Sequence, residues 1–242
     1  MIGRGLALAA TVLAIECLAG CPARPAPRGP EASERDATAV RIRIANAEAR
    51  RGGGVAELAE LAKYGSTHER VLALRGLGRT AGALAIEELR GSLGAADLEI
   101  VLAAAAGLGL AAALDETELE VTPALIAALA RAGDRAPIVI EALGRAGDVT
   151  AQEPLRAQLQ GPTPHAEAAA IALGRHGRRK LALTDAARDA LAKATEHADP
   201  AVRYAAVWAL SREHLPAEVI GAPRVTRVTA SLVARLADSA PE

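Results

Sequence analysis

Few side chains in this sequence of 242 residues have the types and spacing that catalysis needs. It contains no Gly-x-Ser-x-Gly elbow, no Walker loop and no Gly-x-Gly-x-x-Gly fingerprint, the motifs that serve a serine nucleophile, a phosphate and a dinucleotide. Serine is scarce, and the two cysteines, Cys17 and Cys21, both lie near the N-terminus. Serine and cysteine nucleophiles also need a neighbouring base that activates them. The motifs therefore predict no catalytic residue, and no cofactor is expected.

The composition favours packed helices. Hydrophobic residues make up 51% of the chain, but aromatic residues make up only 1%, so the core consists of Ala, Leu, Val and Ile. Small side chains of this kind let helix backbones approach closely, and Ala and Leu are strong helix formers. The 28 basic and 29 acidic residues give no basic excess. Nucleic acid is therefore excluded as an expected partner, because phosphate backbones are bound by concentrated positive charge.

The N-terminus has the pattern of an export signal. Arg4 precedes an apolar run over 5–15, which is too short to span a bilayer. The next segment, Leu18-Ala19-Gly20-Cys21, resembles the lipobox of bacterial lipoproteins. That resemblance implies cleavage before Cys21 and lipidation of its thiol, which leaves no thiol in the mature chain. An ordinary signal peptide is the alternative.

The lipoprotein resemblance also predicts where the chain resides. Pro22, and not the Asp associated with inner-membrane retention, follows Cys21. We expect a lipid-anchored protein of the cell envelope, at the outer membrane and facing the periplasm. Residues 21–35 are rich in proline and predict an extended tether of about 50 Å. The predicted domains are a signal peptide over 1–20, this tether, and a folded domain over 36–242.

That folded domain repeats one signature five times. Each copy is an apolar helical stripe that ends in a small residue, a leucine, and then Gly or Ser; the shared leucines are Leu77, Leu108, Leu143, Leu173 and Leu210. Spacings of 30 to 37 residues are typical of helical-hairpin solenoids. The small residue before the leucine predicts a close helix crossing. The residue after it predicts a helix C-cap.

A second amphipathic segment follows each signature helix. These segments are predicted over 83–92, 118–131, 150–160, 184–196 and 224–237, with one further helical pair upstream over 36–50 and 55–64. Asp97, Asp134 and Asp199 are predicted N-caps. The fold class predicted from these patterns is all-α, an α-solenoid of about six hairpins.

The last signature helix makes the family recognisable. Residues 199–210, which read Asp-Pro-Ala-Val-Arg-Tyr-Ala-Ala-Val-Trp-Ala-Leu, resemble the first helix of a HEAT repeat, and more narrowly the HEAT-like units of phycobilisome lyases. HEAT arrays mostly bind proteins, so the resemblance implies a protein partner. Because fold alone does not fix activity, the alternative of a HEAT-fold enzyme or accessory lyase acting on a protein substrate stays open.

The HEAT resemblance also raises the question of a metal site. Deoxyhypusine hydroxylase, a HEAT-repeat enzyme, binds two irons with four His-Glu pairs, but only His68-Glu69 has this order here. We therefore expect no metal. The expected lipoprotein signal likewise argues against a pigment-attaching bilin lyase.

Two surfaces are candidates for binding a partner. Tyr204 and Trp208 lie four residues apart on one helix, where they either pack beneath the last helix or form an aromatic anchor. The second helices are expected to line a concave, mixed-charge face. Its candidate residues are Glu57, Glu60, Glu87, Arg90, Gln152, Arg156, Gln158, Arg188, Asp189 and Lys193, of which Arg156 and Lys193 are the chosen partner-binding residues. The basic loop 177–180 is interpreted as a solvated turn.

The sequence therefore predicts a non-enzymatic, lipid-anchored scaffold or adaptor in the cell envelope. Its protein partner would bind the solenoid surface, and its membrane contact would be the lipid on Cys21.

Overall fold

The computed structural model describes residues 32–114 and 120–213, together with Ala230 and Val233. The predicted all-α fold is confirmed, since this part of the chain is helical and contains no strand. The helices are α1 (Ala32–Ala49), α2 (Val55–Tyr64), α3 (Thr67–Thr80), α4 (Ala83–Ser92), α5 (Leu98–Leu114), α6 (Thr122–Arg131), α7 (Ala136–Ala146), α8 (Gln152–Gln158), α9 (Thr163–Arg178), α10 (Asp185–Ala194) and α11 (Pro200–Ser211). Short 3₁₀ turns precede α2, α7 and α8.

The helices from Val40 onward belong to one compact unit and form two layers. The signature helices α3, α5, α7, α9 and α11 pack consecutively against one another, and we call them the A layer. The second helices α2, α4, α6, α8 and α10 each pack on the A helix that follows, and we call them the B layer. This is the stacked-hairpin arrangement that the repeat spacing predicts. The sixth pair is described only as far as α11, because the segment predicted over 224–237 lies outside the described residues apart from two positions.

The core is built from the shared positions of the repeats. Leu77, Leu108, Leu143 and Leu173 are fully buried, and Leu210 is almost so. The middle helix α5 is apolar around most of its circumference because it contacts helices on both sides within its own layer and α4 and α6 of the B layer. None of the described helices combines the length and the apolar character that a bilayer crossing requires.

The glycine after the shared leucine does not end its helix in α3, α5, α7 or α9, so these four predicted C-caps are wrong, whereas α11 does end at Ser211. Helix α3 continues past Gly78 to Thr80, and α7 continues past Gly144 to Ala146. A Cβ placed on Gly78 would lie 2.5 Å from the Cα of Gly107, and one on Gly144 would lie 2.6 Å from the Cα of Ala172. These glycines therefore serve the close helix crossing. Each one faces the small residue that precedes the leucine of the next A helix.

The predicted N-caps differ in outcome. The Asp199 carboxylate accepts a hydrogen bond from the Ala201 N–H at 2.9 Å, and that of Asp97 accepts one from the Glu99 N–H at 2.9 Å. Asp134 caps nothing, because it lies inside a 3₁₀ turn that leads directly into α7. The sequence analysis missed the Ser66–Glu69 capping box that begins α3.

Candidate functional site

A groove on the A layer has a shape and a chemistry that suit a ligand. It has a volume of about 270 Å³ and is lined by residues of α3, α5 and α7 and of the turn before α7. Its floor is formed by small residues, among them Ala103, Ala106 and Gly109. Helices α5 and α7 cross closely at Gly109, where an added Cβ would lie 3.2 Å from the Cα of Ala142. Leu110 and Ile138 supply apolar walls. The groove therefore offers an apolar slot for a side chain.

An ion pair between Glu99 and Arg135 forms one rim of this groove. The Arg135 guanidinium donates two hydrogen bonds to the Glu99 carboxylate, one from each terminal nitrogen, and the second measures 3.0 Å. These hydrogen bonds lower the pKa of Glu99 and raise that of Arg135, since each group stabilises the charged form of the other. Because both side chains are exposed, the pair orients the rim more than it stabilises the fold.

Glu141 and Arg145 form the other rim, and Arg175 contacts this rim from outside the groove lining. The Glu141 carboxylate accepts hydrogen bonds from Arg145 at 3.1 and 2.9 Å, and the same Oε1 atom accepts one from Arg175 of α9 at 3.4 Å. Burial and then the neighbouring Arg145 charge lower the pKa of Arg175. Two guanidinium groups thus share one carboxylate oxygen.

The sequence analysis missed this site because it placed the binding surface on the second helices. The groove lies on the A layer, the other face of each hairpin. Of the B-layer residues expected to face outward, Gln152 is buried and Arg188 is mostly covered, which corrects that prediction for these two. Gln152 is 1% exposed and bonds the Ala182 carbonyl and the Thr184 N–H, while Arg188 is held by the nearly buried carboxylate of Glu213.

The chosen partner-binding residues of the B layer lie on its surface. Arg156 pairs with Glu153 through hydrogen bonds of 2.9 and 2.5 Å, and Lys193 is exposed on α10. Neither residue lines the groove. Their role in binding stays a prediction.

The two aromatic side chains of α11 have different surroundings. The Tyr204 ring is exposed, whereas the half-buried Trp208 ring packs on α9 at Gly174 and beneath the Arg212 guanidinium at 5.6 Å. Trp208 therefore fills the space that the missing side chain of Gly174 leaves, a contact that neither alternative for this residue included. Tyr204 keeps its place as a candidate contact for a partner.

The single His-Glu pair has a local structural role. The Glu69 side chain accepts hydrogen bonds from the Ser66 N–H and hydroxyl, each 2.8 Å long, and these bonds lower its pKa. The carboxylate that a metal would need is thereby used in the capping box of α3. Among the described residues, no three His, Cys, Asp or Glu side chains cluster as metal ligands would.

One histidine has an unusual environment inside the fold. His176 of α9 is completely buried, and its Nε2 atom lies 3.1 Å from the Leu143 carbonyl oxygen. Its Nδ1 atom has no hydrogen-bond partner. Burial lowers the pKa of this imidazole from 6.5 to about 4, so the side chain is neutral near pH 7.

The predicted signal peptide, the lipid-bearing Cys21 and most of the tether lie outside the described residues. The segment predicted as the basic loop 177–180 is described, and its first half is the end of α9, which includes Gly177 and Arg178. The Arg179 guanidinium donates a hydrogen bond to the Gly147 carbonyl at 2.6 Å. Arg178 and Lys180 are exposed, as a solvated turn requires.

No protein-family model and no curated protein matches this chain. Among solved structures, the chain is similar to the complex of CpcE and CpcF of phycocyanin lyase from Nostoc sp. PCC7120. The two share 18% sequence identity and a TM-score of 0.50, and the match covers 88% of this chain and 97% of that chain. This likeness shows the fold, and it confirms the HEAT-like repeats.

The comparison also corrects the functional prediction. The expectations of a scaffold or adaptor and of a protein that is no enzyme are wrong, because the fold they were inferred from is also the fold of a lyase. The lipid anchor and the envelope location stay predictions. The same fold is compatible with the alternative, a HEAT-fold enzyme or accessory lyase acting on a protein substrate. The argument against a lyase depended on the export signal, which lies outside the described residues.

Proposed function

We propose that this chain is an accessory lyase-type subunit that holds a protein substrate in the groove of its A layer. The observation that carries this proposal is the groove itself, an apolar slot about 270 Å³ in volume between two charged rims. Protein-binding sites commonly combine a desolvated apolar centre with a polar rim. The slot can take one aliphatic or aromatic side chain of a substrate.

The groove binds a substrate without supplying a nucleophile. No Ser, Cys, Thr or His lines it, and its carboxylates are paired with arginines. We therefore infer that a second chain or the bound substrate provides the reactive groups, while this subunit orients the protein to be modified. The likeness supports this arrangement, since the lyase structure is a complex of two chains.

A site-specific crosslinking experiment tests the proposal. A photo-crosslinking phenylalanine derivative replaces Leu110 at the groove, and the matched control places it at Val149, another exposed apolar residue that lies outside the groove. Proteins captured only at position 110 are purified, and their intact masses are measured before and after incubation with this chain and the co-captured proteins. We expect one protein whose covalent mass changes only when this chain is present.

A variant whose groove is blocked tests the same proposal by loss of function. Ala106→Trp fills the groove floor, whereas Ala157→Trp adds the same ring to an exposed position of α8. The mass change should disappear with the first variant and persist with the second. Capture of the same proteins at positions 110 and 149, or an unchanged mass in every mixture, would refute the proposal.

The location of the protein is a separate prediction. Lipidation of Cys21 would place it on a membrane, independently of what the groove binds. We expect Cys21→Ser to move the chain from the membrane fraction to the soluble fraction. An unchanged distribution between the fractions would contradict the lipobox interpretation.

A further inference from the structure

Arginines recur at one position of the A helices. The residue two after the shared leucine is arginine in four of the five repeats, namely Arg79, Arg145, Arg175 and Arg212, and it is Leu110 in the second repeat. Because consecutive A helices pack side by side, equivalent positions fall on the same edge of the layer. The repeats therefore place a row of guanidinium groups along this edge, and the row is interrupted by Leu110 at the groove.

The charges around the groove do not balance. Arg145 and Arg175 share the single carboxylate of Glu141, so this cluster has an excess of one positive charge. Arg75, which lines the groove from α3, is exposed and forms no ion pair within the described part of the chain. The groove lining itself contains three arginines and two glutamates, namely Arg75, Arg135 and Arg145 against Glu99 and Glu141. Arg175 adds a fourth guanidinium beside the lining, where it shares the Glu141 carboxylate.

The excess charge is partly sheltered from water. The side chains of Arg145 and Arg175 are 30% and 25% exposed. Hydrogen bonds between a guanidinium and a carboxylate are stronger in such places than on an open surface, because less water competes for the donors. The guanidinium groups of Arg145 and Arg175 have more N–H donors than the Glu141 carboxylate can accept. A second carboxylate at this cluster would accept hydrogen bonds from the remaining donors.

We propose that the groove recognises an acidic segment of its protein substrate, in which an aliphatic side chain enters the slot between two carboxylates. One carboxylate binds Arg145 and Arg175, and the other binds Arg75. This inference depends on the proposed function, since it assigns the chemistry of the substrate to the same groove.

The dimensions of the layer fit such a segment. Packed helix axes lie about 8–10 Å apart, so α3 and α7, which flank α5, are separated by about 16–20 Å. An extended peptide rises about 3.3 Å per residue, and five or six residues therefore span the distance. The acidic residues of the segment should flank the aliphatic one at about this separation.

A nucleic acid fits the groove less well than an acidic protein. The carboxylates of Glu99 and Glu141 would repel a continuous phosphate backbone, and no aromatic side chain that could stack on a base lines the groove. The apolar floor also has no counterpart in a sugar-phosphate chain. A peptide whose acidic residues are separated by an aliphatic one avoids the repulsion by Glu99 and Glu141, needs no stacking partner and fills the apolar floor.

Selection from a phage-displayed library of random dodecapeptides tests the inference with the purified full chain. Twelve extended residues span about 40 Å, about twice the distance between α3 and α7. We expect the selected peptides to be enriched in Asp and Glu around one aliphatic residue. Synthetic copies should bind Arg145→Glu/Arg175→Glu at least about tenfold more weakly than the unaltered chain, and more weakly at high salt.

The control variant is Arg156→Glu, which reverses a charge on the B layer and should leave affinity unchanged. Circular dichroism confirms that both variants are folded. Selected peptides without acidic enrichment that still lose affinity to Ala106→Trp would overturn the acidic-segment inference and leave the groove assignment intact. Peptides that bind the unaltered chain, Ala106→Trp and the double variant equally would overturn both the inference and the proposed function.

Discussion

The buried His176 gives a prediction about stability that follows from its surroundings. The imidazole has no water contact, its Nε2–H donates to the Leu143 carbonyl, and its Nδ1 atom is unpaired. Burial and, to a lesser extent, the positive charge of Arg179 lower its pKa to about 4, although the hydrogen bond to the Leu143 carbonyl and, more weakly, the charge of Asp148 oppose this. In the unfolded chain the same group has a pKa of 6.5. Folding therefore prevents protonation between these two values.

The sign of the effect follows from proton uptake. Below pH 6.5 the unfolded chain binds a proton at residue 176 and the folded chain does not, so the unfolded state gains stability as the pH falls. Each unit of pKa difference corresponds to about 1.4 kcal/mol. Between pH 7 and pH 5 the folded state should lose about 2 kcal/mol through this residue, and down to pH 4 the loss approaches about 3 kcal/mol.

Urea unfolding at pH 7, 6 and 5 measures this loss. The comparison is with His176→Gln, whose amide can still donate to the Leu143 carbonyl but does not titrate. The carboxylates with lowered pKa values, such as Glu69 and Glu99, affect both proteins alike. From pH 7 to pH 5, the free energy of unfolding of the unaltered chain should therefore fall by about 2 kcal/mol relative to that of His176→Gln. His68→Gln, at an exposed position, is the control and should track the unaltered chain.

Parallel curves for the unaltered chain and His176→Gln between pH 7 and pH 5 would refute the reasoning. Such a result would mean that the imidazole takes up its proton inside the folded chain, and hence that Nδ1 finds an acceptor or water. An NMR titration of the His176 ring would show the same contradiction as a pKa near 6.5.

Two further predictions concern the packing of the layers. Gly78→Ala should destabilise the fold by about 1–3 kcal/mol in thermal or urea unfolding, because the new Cβ would overlap the backbone of the neighbouring A helix; Gly91→Ala, where a Cβ meets nothing within 4 Å, should cause no such loss. Glu213→Gln should cost about 1–3 kcal/mol, because Arg188 loses its nearly buried carboxylate and keeps only the exposed Asp185 as a charged partner. The same change at the exposed Glu153 should leave the unfolding midpoint in place, and equal midpoints for Glu213→Gln and Glu153→Gln would contradict the role given to burial.

Local patterns explain how much of the fold the sequence predicts. Helix α4 spans Ala83–Ser92 as predicted, and α2 spans Val55–Tyr64 as predicted, because helix periodicity and the residues that begin and end a helix are properties of neighbouring residues. The repeat spacing predicts the stacking of hairpins because equivalent apolar stripes need equivalent partners. The all-α architecture and its two kinds of helix are therefore determined by the sequence.

The roles of individual residues depend on contacts between repeats. The same Leu-Gly pattern can mark the end of a helix or a position where a neighbouring helix packs closely. Only the contact between Gly78 and Gly107 shows that close packing is the role of this glycine. Gln152 is polar and was expected at the surface, but it is buried because residues 182 and 184 of the following repeat supply partners for its amide. Whether such a residue is buried or exposed therefore depends on contacts with residues about thirty positions away in the sequence.

One part of the candidate site could be predicted from the sequence, and the other part depends on the tertiary structure. The recurring arginine two residues after the shared leucine is visible in the sequence and could have indicated a charged edge of the A layer. The sequence could not show that Arg145 and Arg175 converge on one oxygen of Glu141, or that a groove opens beside them. Periodicity determined which residues repeat, whereas the close crossing of the A helices decided which of them meet, because distances across the layer depend on how deeply neighbouring helices pack.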